Sequence, residues 1–301
     1  MMDFKHIEAF VWVAEVESFR IAAEKLHTTQ PAISQRIAAL ESSLSVRLFE
    51  RSARGIKLTE KGQELLSHAR RIIDMRTEML TAARQASPIR GLFRLGVAET
   101  LVHTWLPELL ERLHQRHPAL VVELQVDTSH VLRSQLLSHQ IDLAMLVGTS
   151  QDPREQSLHL WDYSLAWIAS PSLRLHGRTV KAKELAAYPI ITYPPASVPH
   201  HAVKRILQDA GIKEPRLYGS ASLSTIVHMA RHGMGPCVIA PAVIAEELGQ
   251  GKLCILRTDT TLPDIDFHAC WLDTPDSHTA LTVARLAQEI AHKAGARDHQ
   301  G

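Results

Sequence analysis

Apolar and polar positions along this chain follow two rhythms, and the change between them falls near residue 90. Up to about residue 85 the spacing is helical. Beyond it, short strand-like apolar runs alternate with helical stretches. Ile7, Phe10, Val11 and Ala14 share one side of a first helix over residues 4–16. Ala22, Ala23 and Leu26 face inward from a short second helix. Ile33, Ile37, Leu40 and Leu44 form the apolar stripe of a third. At roughly 100° per residue, the opposite face of that helix carries Pro31, Ser34, Gln35, Ala38 and Ser42. It is a small, polar face that can approach another surface closely. A tight break at residues 27–29 makes the pair a helix-turn-helix, with Thr28 or Thr29 as N-cap and Pro31 in the first turn. Leu48, Phe49, Ile56 and Leu58 then alternate as two short strands. Arg47, Arg51, Arg54 and Lys57 gather there around Gly55, opposed by Glu50, as a basic wing suited to phosphates or the minor groove.

A long helix is expected over residues 59–85, capped by Thr59 and about 40 Å long. Two series spaced by seven run along it, Leu65, Ile72, Met79 and Leu66, Ile73, Leu80, with Ala69 beside the first. Too little chain precedes it to cover such a stripe. A dimerisation seam through Leu65, Ala69, Ile72, Ile73, Met79 and Leu80 is therefore expected, against the alternative of an amphipathic helix lying on its own domain. Residues 86–91, with Pro88 and Gly91, read as a hinge.

The second rhythm gives strands over 92–97, 121–126 and 143–147, with helices over 101–117 and 131–139. A second set has strands over 163–170, 189–192, 216–218 and 237–240, and helices over 182–187, 202–210, 223–232 and 242–248. The chain returns with a strand over 265–272 and a helix over 279–293. This alternation implies two mainly parallel halves, crossing near 161–165 and 266–270, with a cleft between them. Ligands in such folds sit at the carboxyl ends of strands, where helix N-termini aim N–H groups. Four such junctions supply Glu99, Thr100, Thr128, Ser129, Ser197, His200, His201 and Thr225, with Tyr193 and Trp105 near enough to stack on a flat ligand. Each hydroxyl serves equally as a plain N-cap; their convergence carries the reading. Glu99 either stabilises a helix dipole or accepts an N–H from the ligand.

The run A-A-E-K-L-H-T-T-Q-P-A-I-S-Q-R-I-A-A-L-E from Ala22, L-F-E-R from Leu48 and L-T-E-K-G from Leu58 make residues 1–60 resemble the winged helix-turn-helix of LysR-type transcriptional regulators. Glu17 and Ser45 stand where that family often has Gly, and Gln35 where many members have Arg. I-D-L-A-M-L from Ile141 and G-M-G-P-C-V-I-A-P from Gly233 extend the resemblance to the family's effector domain. The resemblance implies an α+β multidomain chain: a winged helix-turn-helix (1–58), a linker and dimerisation helix (59–88) and a periplasmic-binding-protein-like α/β domain (91–301). The last would comprise subdomain I, about 91–162 and 269–301, and subdomain II, about 163–268. It further implies double-stranded operator DNA as partner, contacted by Thr28, Thr29, Gln30, Pro31, Ser34, Gln35, Arg36, Arg51 and Arg54. The hydroxyls and helix N-termini of the cleft point to a small organic acid, aromatic in one version, as effector; self-association as dimer or tetramer and RNA polymerase complete the expected partners. No cofactor is implied.

Composition narrows this only slightly. Of 301 residues 45% are hydrophobic and 22% charged, with net charge +1, so any nucleic-acid surface must be local. No apolar run is long enough to span a bilayer, and the first residues read as neither a signal peptide nor a twin-arginine start, so a cytoplasmic protein is expected. Cys237, Cys254 and Cys270 lack metal-ligand spacing and read as buried thiols, with a peroxide-sensing pair as the alternative. His228 and His232, one turn apart, read as a solvated face rather than a metal site. No nucleophile elbow, phosphate loop or dinucleotide fingerprint appears. The rival reading is a ligand-binding or enzymatic α/β protein whose first domain only mediates association. A packing helix would not expose Ser34, Gln35 and Ala38 beside a basic wing.

Overall fold

The computed structural model describes residues 3–52, 55–83, 89–274 and 277–298. They form two compact units, one built on Met1–Pro88 and one mainly on Ile89–Leu272 and Ala280–Gly301.

The first unit runs α1 (Phe4–Val16), α2 (Phe19–Lys25), α3 (Gln30–Leu44), β1 (Phe49–Ser52), β2 (Gly55–Leu58) and α4 (Glu60–Ala83). Ser18 caps α2 by accepting the Ile21 N–H, and Thr29 caps α3 by accepting that of Ala32. Ile33, Ile37 and Leu40 enter a core with Phe10, Trp12 and Leu48. Leu44, expected on the same stripe, is instead 37% exposed, because the helix ends there and Ser45 turns away at φ 56°. Glu17 likewise ends α1 at φ 48°. Both positions hold a side chain in the left-handed region, which Gly occupies at no steric cost. Ser45→Gly should therefore stabilise this unit by about 0.5–1 kcal/mol, after its extra unfolded-chain entropy is subtracted. A denaturant midpoint that falls would contradict this.

β1 and β2 pair antiparallel, with Glu50 opposite Lys57 and Arg51 opposite Ile56. The Glu41 carboxylate ties this wing to α3 by accepting the N–H of Leu48 (2.7 Å) and of Phe49 (3.3 Å). Thr59 caps α4 by accepting the Gly62 N–H at 2.9 Å, and its hydroxyl donates to the Arg47 carbonyl at 2.6 Å.

On α4 the dimerisation expectation needs correction. Ala69 and Ile73, with Leu66, are buried in this unit's own core, and Leu65 and Ile72 are half-buried against it. The cause is α1, which packs under α4 and supplies the covering chain thought to be missing. Arg70 of α4 pairs there with the buried Glu15 carboxylate of α1. The side chains of Met79 and Leu80 lie outside the described residues. Met75, 60% exposed, is an apolar side chain of α4 left uncovered.

The second unit opens with β3 (Gly91–Val97), α5 (Glu99–Val102), α6 (Leu106–Arg116), β4 (Leu120–Val126), α7 (Ser129–Leu137), β5 (Leu143–Val147) and β6 (Glu155–Ser164). It continues through β7 (Ala166–Ala169), β8 (Thr179–Val180), α8 (Ala182–Leu185), β9 (Ile190–Thr192), α9 (Val198–Asp209), β10 (Leu217–Gly219) and α10 (Leu223–Arg231). Then follow β11 (Cys237–Ile239), a 3-10 turn (Pro241–Ile244), α11 (Ala245–Gly249), β12 (Cys254–Ile255), β13 (Arg257–Thr258), β14 (Asp264–Leu272) and α12 (Ser277–Asp298). One sheet has the order β4-β3-β5-β14-β6 and the other β10-β9-β11-β7-β12. In each, parallel strands meet an antiparallel remainder; β14 runs against both β5 and β6. The crossings thus fall at Leu165 and just before Asp264. The return to the first sheet comes five residues earlier than the expected 269.

Two further differences bear on the cleft. The helix expected over 101–117 breaks into α5 and α6, where the Thr104 hydroxyl donates to the carbonyls of Thr100 and Leu101 and Pro107 opens a new first turn. α9 starts at Val198 rather than 202, because Ser197 caps it by accepting the His200 N–H. Within G-M-G-P, a Cβ on Gly235 would collide with the carbonyl oxygen of Pro189. That explains the glycine in the motif.

Candidate functional site: a recognition helix and a two-sheet cleft

On α3, Gln30, Pro31, Gln35, Ala38 and Ser42 are exposed, and Ser34 and Arg36 are partly so. Thr29 is exposed but its hydroxyl is committed to the cap, while the half-buried Thr28 donates its N–H to the Ala23 carbonyl at 2.9 Å. Arg47 and Lys57 are exposed beside the wing. Of the two expected wing arginines, Arg51 has its backbone in β1, but its side chain and the whole of Arg54 lie outside the described residues. The third helix therefore exposes small groups and amides along one face, with Ile33 and Ile37 anchoring its far side.

In the second unit a cavity of about 370 Å³ opens where β3, β4, β5 and β9 end. Glu99, Thr100, Thr128, Ser129, Tyr193 and Ser197 all line it. His200, His201 and Thr225 do not. The early start of α9 places His200 inside its first turn, with Nδ1 turned back 3.1 Å from the Tyr193 carbonyl oxygen. His201, one residue on, points to solvent, as does Thr225 on α10. Trp105 is buried in the core.

Hydrogen bonds already engage several of the lining groups. Glu99 Oε2 accepts the Leu223 N–H at 2.6 Å, capping α10 in the other half of the unit, and Oε1 lies 3.7 Å from His103 Nε2. The hydroxyls of Thr100 and Tyr193 meet at 3.4 Å across the same gap. Burial pushes the Tyr193 phenol up to about 12, so it stays neutral and can donate. Ser129 Oγ accepts the Val147 N–H at 3.0 Å. Thr128 begins α7 without a side-chain capping bond, which leaves its hydroxyl for a ligand.

Four polar lining residues escaped the sequence reading: Asp127, His130, Arg133 and Thr149. Two were within its reach. Asp127 lies between the end of β4 and Thr128, and Arg133 lies four residues beyond Ser129, one turn along the same helix face. Arg133 donates to Glu155 Oε1 (2.7 Å) and to the Gly148 carbonyl (2.8 Å), so its charge is compensated inside the wall. Asp127 Oδ1 accepts the Thr128 N–H at 2.7 Å. Val147, Ile265 and Phe267 make an apolar floor.

The thiols do not form a poised pair. Cys237 faces Ile168 across one side of β7, and Cys254 faces Ala169 across the other. Two strand spacings separate them, about 9–10 Å, beyond the ~7 Å Cα limit of a disulfide. Cys270 sits in the other sheet. Burial pushes the Cys237 thiol up to about 12; burial and the neighbouring Glu155 carboxylate also raise that of Cys270. Thiols held neutral in this way are poor nucleophiles. The His228 and His232 rings meet at 4.2 Å, tilted by 44°, on an exposed face, and the described residues contain no metal-holding group of three or more ligands. Among the described residues no helix is long and apolar enough to cross a membrane.

A helix-turn-helix with an exposed small-residue face, followed by two α/β sheets around a polar-rimmed cavity, defines a DNA-binding regulator with an effector-binding domain. Comparison with known proteins agrees. Residues 4–63 match the bacterial regulatory helix-turn-helix protein model of the lysR family, and residues 86–292 match the LysR substrate binding domain. The chain belongs to the LysR family of transcriptional regulators. It is 30% identical over 295 residues to the HTH-type transcriptional regulator DgdR of Burkholderia cepacia, covering 96% of this chain and 93% of that one. With YofA of Bacillus subtilis it shares 27% over 243 residues, 81% of this chain and 83% of that. ArgP from Mycobacterium tuberculosis superposes with a TM-score of 0.61 at 20% identity, over 97% and 98% of the two chains. Full-length CbnR complexed with its target DNA does so at 0.51 and 23%, over 95% and 100%.

Proposed function

We propose that this regulator reads its operator through Gln30, Pro31, Ser34 and Gln35, holds the backbone through Arg51 and Arg54, and answers to a small organic acid that also carries an N–H group. The observation behind the effector class is the balance of charge around the cavity. Two carboxylates, Asp127 and Glu99, line it, and its one lining arginine is already paired with Glu155. A carboxylate ligand must then rely on the first N–H groups of α7 and the Thr128 hydroxyl. Asp127 asks for a donor on the ligand, because Glu99 is occupied by Leu223. Of the two roles open to Glu99, the capping one is taken up with Leu223, and the acceptor for the ligand's N–H is then Asp127. An aromatic or branched body fits against Phe267, Ile265 and Val147.

Calorimetry on the full chain, with organic acids offered with and without an amino group, tests this. Asp127→Asn should weaken amino-bearing acids about tenfold or more, the worth of one charge-assisted hydrogen bond, and spare the others. Equal affinity for both classes, unchanged in the variant, would refute the assignment. On the DNA side, Gln35→Ala should change base preference at one position by about 1–3 kcal/mol, whereas Arg51→Ala should weaken all sequences alike and flatten the salt dependence. Gel shifts across a salt series separate the two outcomes. Two copies held about one DNA turn apart would engage paired half-sites, with Met75 and Ile72 as the α4 side chains to probe for the seam. Tetramers, contact with RNA polymerase and a cytoplasmic location complete the proposal.

A further inference from the structure

A second, smaller cavity of about 220 Å³ lies between α10 and the stretch 241–247. Ser224, Val227, His228 and Arg231 recur at helical spacing along one face of α10 and line it. Glu247 of α11 and His103, the C-cap of α5, close it. The donors outnumber the acceptors. Arg231 is charged at any working pH, each imidazole keeps an N–H donor in its neutral form, and Ser224 brings a hydroxyl. As the second residue of α10, Ser224 also has an N–H without an intrahelical acceptor. Glu247 approaches Arg231 only to 4.0 Å, beyond hydrogen-bond length, so the guanidinium keeps donors for a ligand.

We propose that this cavity is a second ligand site, for a small oxyanion-bearing molecule with a phosphate or compact carboxylate group, held by Arg231, His228, His103 and Ser224. Its volume admits such a group and a few further atoms. The site stands back to back with the larger cavity. Leu223 lines the small cavity and gives its N–H to Glu99, which lines the large one; His103 lies against the same carboxylate. An anion drawing on His103 therefore acts on the group that caps α10, which makes the site a second input to the regulator.

The test is calorimetry on the full chain with inorganic phosphate and with citrate, each against chloride at equal ionic strength. Saturable binding of phosphate alone, citrate alone or both supports the site and tells the two chemistries apart. Arg231→Gln should weaken binding about tenfold or more. Glu247→Gln should strengthen it by removing the competing carboxylate, a gain that misfolding cannot imitate. Hydrogen exchange of residues 98–104 and 222–231 should slow when the anion binds. No saturable binding of either anion, an unchanged Arg231→Gln, or a weakened Glu247→Gln overturns the proposal.

Discussion

Arg133→Ala should cost the second unit about 3–5 kcal/mol, the penalty for stranding one member of a buried ion pair. Glu155 is left behind with its side chain only 1% exposed, and it otherwise accepts from Arg133 at 2.7 Å and from the Ser150 N–H at 3.2 Å. The same guanidinium also holds the carbonyls of Val147 and Gly148 at 3.4 and 2.8 Å. Its loss therefore frees the exit of β5 as well as the start of β6, and with them one wall of the larger cavity. Denaturant unfolding measures the cost. Combining Arg133→Met with Glu155→Gln should recover much of it, since neither new side chain carries a charge into the interior. A single variant within 1 kcal/mol of wild type would mean that water reaches Glu155 freely.

Gly62→Ala should destabilise the first unit by about 1–3 kcal/mol or more, as overpacking does. In the interior of an ordinary helix the same change stabilises by roughly 0.5–1 kcal/mol, so the expected sign is reversed. The reason is local. α4 begins so close to the wing that a Cβ at 62 would meet the carbonyl oxygen of Leu48, a backbone atom that cannot rotate aside. That carbonyl also accepts the Thr59 N–H at 3.0 Å, so yielding would break the cap of α4 as well. DNA affinity should fall with stability, while ligand binding in the second unit stays intact. A variant as stable as wild type would show that the turn relaxes at no cost.

The two cases show where the sequence was readable. The glycine of L-T-E-K-G could be matched as a letter, but its necessity depends on how closely the wing folds back, which no local pattern records. The α3 stripe was legible because Ile33 and Ile37 obey one period within one helix. Leu44 obeyed it too, yet sat at the end of the helix, where nothing remained to cover it. The seam on α4 misread Ala69 and Ile73 for a related reason: periodicity shows that a stripe is covered, never by which chain. In the cleft, Glu99, Thr100, Thr128 and Ser129 followed from the rule that sites lie at strand ends. His200 and His201 failed because a capping serine shifted the start of α9 by four residues and rotated both rings away. Most of β6 was missed, since Glu155–Ser164 lies at an edge of the sheet and is mainly exposed or half-buried, with only Leu160 and Tyr163 turned inward.

The Glu99–Leu223 hydrogen bond also weights the populations of the second unit. It joins the two halves of the second unit directly, from the start of α5 to the start of α10. A charge-assisted bond of this kind contributes about 1.5–3 kcal/mol, enough to shift an otherwise even open–closed equilibrium at least tenfold toward closed. A regulator biased in this way starts from a raised floor: an effector selecting the closed form has less of the population left to move, and its dynamic range narrows. Weakening that one acceptor lowers the floor and widens the response.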